Sequence, residues 1–370
     1  MTGPRTIGST GRLAYVVGQA VRVSWYFGQY ALAARFGGHR PPAPPPGAPS
    51  GAPSGEAARR GPGTRGVLAE LRALMERDLA NIEAGLYRMP HDLLVPPSRA
   101  LREAAAFFGD LPSVARRRRA RDGAELRRTP ADPGAALPAY YRQNFHFQTD
   151  GYLSDRSARL YDHQVEVLFG GGADAMRRQA LVPLGRWLRD RRSAETVLLD
   201  VAAGTGRFLT FVKDNWPRLN TIALDLSRPY LAEARRSLAP WRGTSFVQAP
   251  AEAIPLADAS VDLVTCVYLL HELPRAVRSR AAAEIARVLR PGGLAVVVDS
   301  IQTGDRPAFD GLLEMFPAAF HEPYYADYLR QDVAKVFTDH GLVAQGSELA
   351  FLSKVMVFSK QRVPGILASA

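Results

Sequence analysis

The sequence predicts an α/β fold, a mostly parallel sheet with helices on both faces and a helical extension at the N-terminal side. Three observations carry this. After about residue 175, short apolar runs alternate with helical stretches, as strands do when crossover helices join them. The last two apolar runs have a short gap and no helix between them, which makes them an antiparallel hairpin at the sheet edge. The front third is basic, helical in its spacing and broken by proline.

The elements follow in order. Residues 1–40 contain one amphipathic helix over 13–36. Arg12, Gln19, Arg22 and Gln29 fall on one side of it at about 100° per residue. Arg22 sits too near the middle for a membrane span. The helix either lies on a membrane surface or packs on the rest of the protein or on a second copy. Charge interrupts the apolar run and no small-residue cleavage site follows, which argues against a signal peptide. Residues 41–65 are rich in proline, glycine and alanine and read as a linker. Residues 66–145 form a helical basic cap region. Val67, Leu68, Leu71, Leu74, Met75 and Ile82 predict a helix over 67–87, and another follows around 98–108. Arg116–Arg119 with Arg121 make a basic run, read as a solvated helix face.

Residues 146–370 hold the α/β domain. Its predicted strands are Val197–Val201, Thr221–Leu224, Ser245–Gln248, Val261–Val267, Leu294–Asp299, Leu342–Leu349 and Lys354–Ser359. The predicted helices are 228–239, 274–290 and 323–340.

Composition sets limits. The chain has 370 residues, 46% hydrophobic and 22% charged, which excludes disordered, collagenous and coiled-coil classes. A single cysteine, Cys266, excludes an internal disulfide or a multi-cysteine metal site and suits a reducing, cytoplasmic compartment. The net charge is +11, and the first 130 residues hold 20 Arg against 10 Asp and Glu. No nucleic-acid fold signature accompanies that charge, so a nucleic acid is not the favoured partner.

The chemistry begins at Val197-Leu-Leu-Asp200-Val-Ala-Ala-Gly204-Thr-Gly206. An apolar strand ends at an aspartate and turns through a glycine loop into a helix. Glycines there either let a ligand approach the backbone or serve the turn alone. A dinucleotide fingerprint needs a third glycine where Leu209 stands, and a P-loop needs Gly-Lys-Ser/Thr, so both fail. Asp200 suits a ligand with a cationic group. Asp225 ends the next strand and suits ribose hydroxyls, or a helix N-cap before Arg228-Pro229. Two further segments, Phe246–Val264 and Val288–Val298, complete the series.

In this order and spacing the four segments resemble the motif series of class I S-adenosylmethionine-dependent methyltransferases, and within them the ubiquinone/menaquinone-biosynthesis type acting on small molecules. The resemblance covers residues 195–300. It implies a Rossmann-like seven-stranded sheet with an antiparallel last strand, and S-adenosyl-L-methionine as cofactor. It also implies that Asp200, Ala202, Gly204 and Gly206 line the methionine end, Asp225 binds the ribose and Leu226 flanks the adenine. Ala251 and Glu252 would sit at the adenine edge and Val267 beside the cofactor. Pro250 departs from the family, which usually has an acidic or amide residue there. Adenine recognition then falls to backbone groups, Glu252 or Gln248.

Methyl transfer is an in-line displacement with reacting atoms about 3–3.5 Å apart, and a base is needed only if the nucleophile must lose a proton. His271, in the loop after the fourth strand, is the best-placed histidine for that role, or else it hydrogen-bonds the backbone. His146 and Tyr152 lie in an aromatic, polar segment (140–154) that is either a lid over cofactor and substrate or a packing helix. His321–Tyr325 is the other natural substrate insert, or a helix start with Pro323 in its first turn. No metal site is expected, since no two histidines have helical ligand spacing.

The function expected is methylation of a small hydrophobic or aromatic acceptor, such as a quinol, a phenol or a lipid-linked ring. Residues 13–36 would give peripheral membrane contact. The alternatives are methylation of a protein or nucleic acid docked on the basic front third, and a non-catalytic cofactor-binding partner protein. A dehydrogenase is the most distant reading.

Overall fold

The computed structural model describes residues 7–36, 62–128 and 137–362. Most of the expected linker lies outside the described residues. Its last residues already belong to a helix, Gly63–Glu83. The chain forms two compact units.

The sheet unit comprises residues 86–88, 177–300 and 331 onward. Its strands are β1 (Val197–Val201), β2 (Asn220–Asp225), β3 (Thr244–Gln248), β4 (Val261–Val267), β5 (Leu289–Ser300), β6 (Leu342–Ala350) and β7 (Ser353–Lys360). They form one sheet in the order β3-β2-β1-β4-β5-β7-β6. Only β7 runs against the others, pairing antiparallel with both β5 and β6. The central strands are continuous apolar runs because both their faces are covered. Leu198, Leu199, Val201, Leu263, Val264 and Val296 are almost wholly buried.

The helical unit comprises residues up to 85, 89–176 and 301–330. It contains α1 (Ser9–Phe36), α2 (Gly63–Glu83), α3 (Pro97–Ala120), the single turn α4 (Glu125–Arg128) and α5 (Asp155–Leu168). Helix α6 (Ala173–Arg178) bridges the division. The sheet unit then adds α7 (Leu181–Leu188), α8 (Arg207–Asn215), α9 (Arg228–Ser237) and α10 (Arg275–Val288). Residues 301–330 return α11 (Asp310–Phe320) and α12 (Tyr325–Tyr328) to the helical unit, and α13 (Val333–Thr338) completes the sheet unit.

Several expectations need correction. The helix placed at 323–340 is two short helices, because Asp332 takes an extended conformation and caps a new start by accepting from the Lys335 N–H. The preceding α11, which carries Pro317 inside it, has no counterpart among the predicted helices. Helix α3 runs to Ala120 rather than 108 and carries Pro112 within it. The arginine run forms its last turn but is not a uniformly solvated face. Arg117 is buried and bonds Thr149 and Glu125, and the Arg118 guanidinium lies 5.2 Å from the Phe320 ring centre. The aromatic segment 140–154 is not a helix but a chain of turns with one 3-10 turn, Phe145–Phe147.

Helix α1 has its polar side turned inward. Gln19 and Gln29 are buried, and the Gln29 carbonyl oxygen is 2.8 Å from His163 Nε2. Arg22 reaches Glu166 at 2.8 Å and Asp174 at 2.6 Å, both acids being buried. Tyr15 donates to Asp78 at 2.5 Å. Among the described residues no helix is long and apolar enough to cross a membrane.

Candidate methyl-donor site

The loop between β1 and α8 is built on left-handed backbone. Ala202, Gly204 and Gly206 all have positive φ, at 59°, 56° and 75°. For Ala202 this costs on the order of 1–2 kcal/mol. The two glycines differ in purpose. A Cβ on Gly206 would stand 3.2 Å from the Ala234 Cα, so that glycine lets α9 pack close. A Cβ on Gly204 would meet nothing within 4 Å, so that glycine faces open space.

Asp225, at the end of β2, holds the loop in place. Its carboxylate accepts the Gly204 N–H at 2.8 Å and the Ser227 N–H at 2.7 Å. The N-cap of α9 is therefore Ser227, whose Oγ accepts from the Tyr230 N–H, and not Asp225. Asp200 is buried in β1 and accepts from the Thr265 hydroxyl at 2.6 Å. Burial pushes the Asp200 carboxyl up to about 7, and the nearby Asp225 charge adds to the rise while Thr265 opposes it. Burial likewise lifts Asp225 to about 6, against the backbone N–H groups that favour its charged form. Two raised carboxyls beside a glycine loop form a place where a cationic ligand is favoured.

The sheet register brings the other predicted donor-site residues to this end. Leu226 follows Asp225 directly. Ala251 and Glu252 lie in the turn after β3, the neighbour of β2, and Ala251 is buried. Gln248 donates to the Leu226 carbonyl at 3.3 Å. Val267 ends β4, whose Cys266 pairs with Val201 of β1.

Two arginines that sequence reasoning missed hold the surrounding loops. Arg287 of α10 donates to the carbonyls of Ile254 and Leu256 and to Asp258 and Glu284, all at 2.7–2.8 Å, which anchors the turn after β3. Arg278 is wholly buried and donates to the carbonyls of Leu270 and Leu273 and to Gln331. It thereby fixes the loop after β4. A lone arginine that bonds main-chain carbonyls, whether 5 or 8 residues away as for Arg278 or 31 and 33 as for Arg287, leaves no local pattern to read.

That loop carries His271. Its Nδ1 is 2.5 Å from Asp299 Oδ1, and Asp299 also accepts the Leu270 N–H at 2.7 Å. Burial alone would lower the His271 pKa, but the Asp299 charge and hydrogen bond outweigh it and the net direction is upward. Asp299 can only accept when ionised, so Nδ1 carries the proton and Nε2 is the remaining functional nitrogen.

His146 and Tyr152 belong to the helical unit. His146, Phe147 and Asp150 all have positive φ, a concentration of strain of the kind found at functional loops. His146 Nδ1 is 3.1 Å from the buried Glu322, Gln143 donates to the Tyr324 hydroxyl at 2.9 Å, and the Phe147 and His321 rings are 5.4 Å apart. The two segments singled out as substrate inserts thus meet within this unit. Tyr152 stacks on Phe145 at 5.4 Å and meets Tyr161 edge-on at 6.0 Å. His163 instead serves packing, buried between Gln29 and the Tyr26 ring.

Residues 198–293 match the family model described as a methyltransferase domain. Over this stretch the chain is similar to a methyltransferase domain, in agreement with the class I S-adenosylmethionine-dependent resemblance. It is 40% identical over 101 residues to a malonyl-acyl-carrier-protein O-methyltransferase of Xylella fastidiosa, covering 26% of this chain and 32% of that protein. It is 32% identical over 148 residues to a ubiquinone/menaquinone biosynthesis C-methyltransferase of Desulfotalea psychrophila, covering 40% and 56%. It is 34% identical over 134 residues to a demethylmenaquinone methyltransferase of Thermus thermophilus, covering 36% and 57%. The chain thus spans less than two thirds of the length of these relatives.

Proposed function

We propose that the protein transfers a methyl group from S-adenosyl-L-methionine to a small hydrophobic or aromatic acceptor. The observation that carries the donor half is the open space over Gly204, held by the Asp225 carboxylate and set beside buried Asp200. These residues fit the donor: its cationic end is matched by two carboxylates and its ribose by Asp225. Bound S-adenosylmethionine supplies an electrophilic methyl group on a positively charged sulfur. Asp200, Ala202, Gly204 and Gly206 hold the methionine end, Leu226, Ala251 and Glu252 border the adenine, and Val267 lies alongside. Neither raised carboxyl needs to keep its proton once a cation is present.

His271 takes the proton from a phenolic or carbon-acid nucleophile on Nε2, and Asp299 steadies the imidazolium that results. Within the helical unit, His146 lines an apolar cavity of about 100 Å³ with Tyr30, Phe107, Val165, Leu168 and Phe320. The names of the relatives agree with small or carrier-bound acceptors. In this reading the acceptor comes from a lipid phase, with residues 13–36 as the peripheral contact.

The test has two steps. Calorimetry with S-adenosylmethionine and S-adenosylhomocysteine should show binding that Asp225→Asn weakens. Incubation with isotopically labelled donor and a lipid-soluble metabolite extract should then label an organic-phase product. Binding without label in any fraction would leave a cofactor-binding partner protein, and label in protein or nucleic acid would overturn the acceptor class.

A further inference from the structure

We infer that the outward face of α1 docks on a membrane surface bearing anionic headgroups, with the helix lying flat. Every large hydrophobic side chain that is exposed among the described residues lies between residues 13 and 101. On α1 these include Leu13, Val16, Val17, Val21 and Leu32, between 48% and 64% exposed. At about 100° per residue they share one side of the helix. The positions between them on that side, Ala20, Ser24, Gly28 and Ala31, are small, uncharged and exposed. The result is an apolar stripe roughly 30 Å long. It continues into an open groove of about 710 Å³, where Val21 and Trp25 face Leu94 and Leu101.

The helix cannot roll to hide this stripe. Its other side holds Arg22 against buried Glu166 and Asp174, Gln29 against His163, and Tyr15 against Asp78. Turning it would strip two buried carboxylates of their counter-charge and place valines against them. The apolar side is therefore presented outward by the fold itself.

Charge decides what covers it. Helix α1 contains three arginines and no acidic residue. Exposed Arg12, which also reaches Glu83 at 3.7 Å, and exposed Arg35 mark its two ends, and exposed Arg102 lies beside Leu101. A second copy paired across a two-fold axis with antiparallel α1 helices would set Arg12 of one against Arg35 of the other. The residues that follow α1 directly, 37–61, contain no Leu, Ile, Val, Phe or Trp with which to cover an apolar face. An acyl boundary topped by anionic headgroups satisfies both the stripe and its basic ends. This docking does not depend on the methyl-transfer reading.

The test is flotation of the full chain with vesicles of phosphatidylcholine alone and of phosphatidylcholine mixed with phosphatidylglycerol, at low and high salt. The protein should float with the mixed vesicles, less so at high salt. Val17→Glu combined with Val21→Glu should lower the bound fraction about tenfold or more, with the melting temperature unchanged. Arg12→Glu with Arg35→Glu should remove the preference for anionic vesicles. Failure of the unmodified protein to float with mixed vesicles overturns the proposal. So does a dimer in sedimentation that the valine variant converts to monomer while vesicle binding stays absent. Donor binding measured on the same samples reports separately on the methyltransferase reading. If the valine variant unfolds, the lipid-composition and salt arms on the unmodified protein still decide.

Discussion

The two units solve the burial problem in opposite ways. In the sheet unit no large hydrophobic side chain of the described residues is exposed, and the charged groups inside it, such as Arg278 and Asp299, hold loops in place. The helical unit buries an arginine–carboxylate cluster under α1 and leaves leucines and valines outside. A parallel sheet covered on both faces completes its own core. A helix whose polar side is committed inward leaves its apolar side exposed among the described residues.

Four mutations and one titration probe that contrast. The largest effects should be equal in size and opposite in kind. Phe337→Ala removes a ring stacked 4.7 Å from Phe358 and should cost about 3–5 kcal/mol in chemical denaturation. Arg22→Met removes a cation instead of a hydrophobe, and should also cost about 3–5 kcal/mol because Glu166 and Asp174 stay buried without it. If Arg22→Met were neutral, the polar interior of the helical unit would be incidental. Next, Asp225→Asn should weaken S-adenosylmethionine binding by roughly 10–100-fold in calorimetry, while the folded state at pH 8 loses little or gains, since a strained charge is gone.

The titration follows from the same two carboxyls. Asp200 and Asp225 titrate near 7 and 6 when folded, above the unfolded value of 3.8. The folded state therefore binds more protons than the unfolded one between those limits. Their contribution is fully present below about pH 4 and is lost as pH rises through 6 and 7. Melting of the ligand-free protein should shift downward across that window, and saturating S-adenosylmethionine should flatten the shift. The smallest effect is Val17→Ser, which should change stability in aqueous buffer by no more than about 0.5 kcal/mol. A loss of several times that would mean the stripe is packed rather than exposed.

Much of the sheet unit was legible in the sequence. The limits of β1 and β4 are readable to the residue, because strands covered on both faces are mostly apolar runs. Asp200, Gly204, Gly206 and Asp225 are legible as a strand aspartate, turn glycines and a strand end, and the backbone takes that form there. The helical unit was less so. Prolines at 112 and 317 read as breakers, yet each sits inside a helix that packing sustains. The direction in which α1 faces depends on Glu166 and Asp174, more than 140 residues further on, and periodicity cannot supply it. Periodicity does separate the two sides of the helix, and only the partners show which side is inside. Partners on other loops, Gln331 for Arg278 and Leu256 for Arg287, hide those two arginines as well.

The Asp299 carboxylate grips both the ring of His271 and the peptide nitrogen just before it. Two attachment points on neighbouring residues of the chain deny the imidazole a swivel. Whatever traffic in protons the ring conducts must pass through a single gate, Nε2, whose aim was settled when the fifth strand took its place beside the fourth.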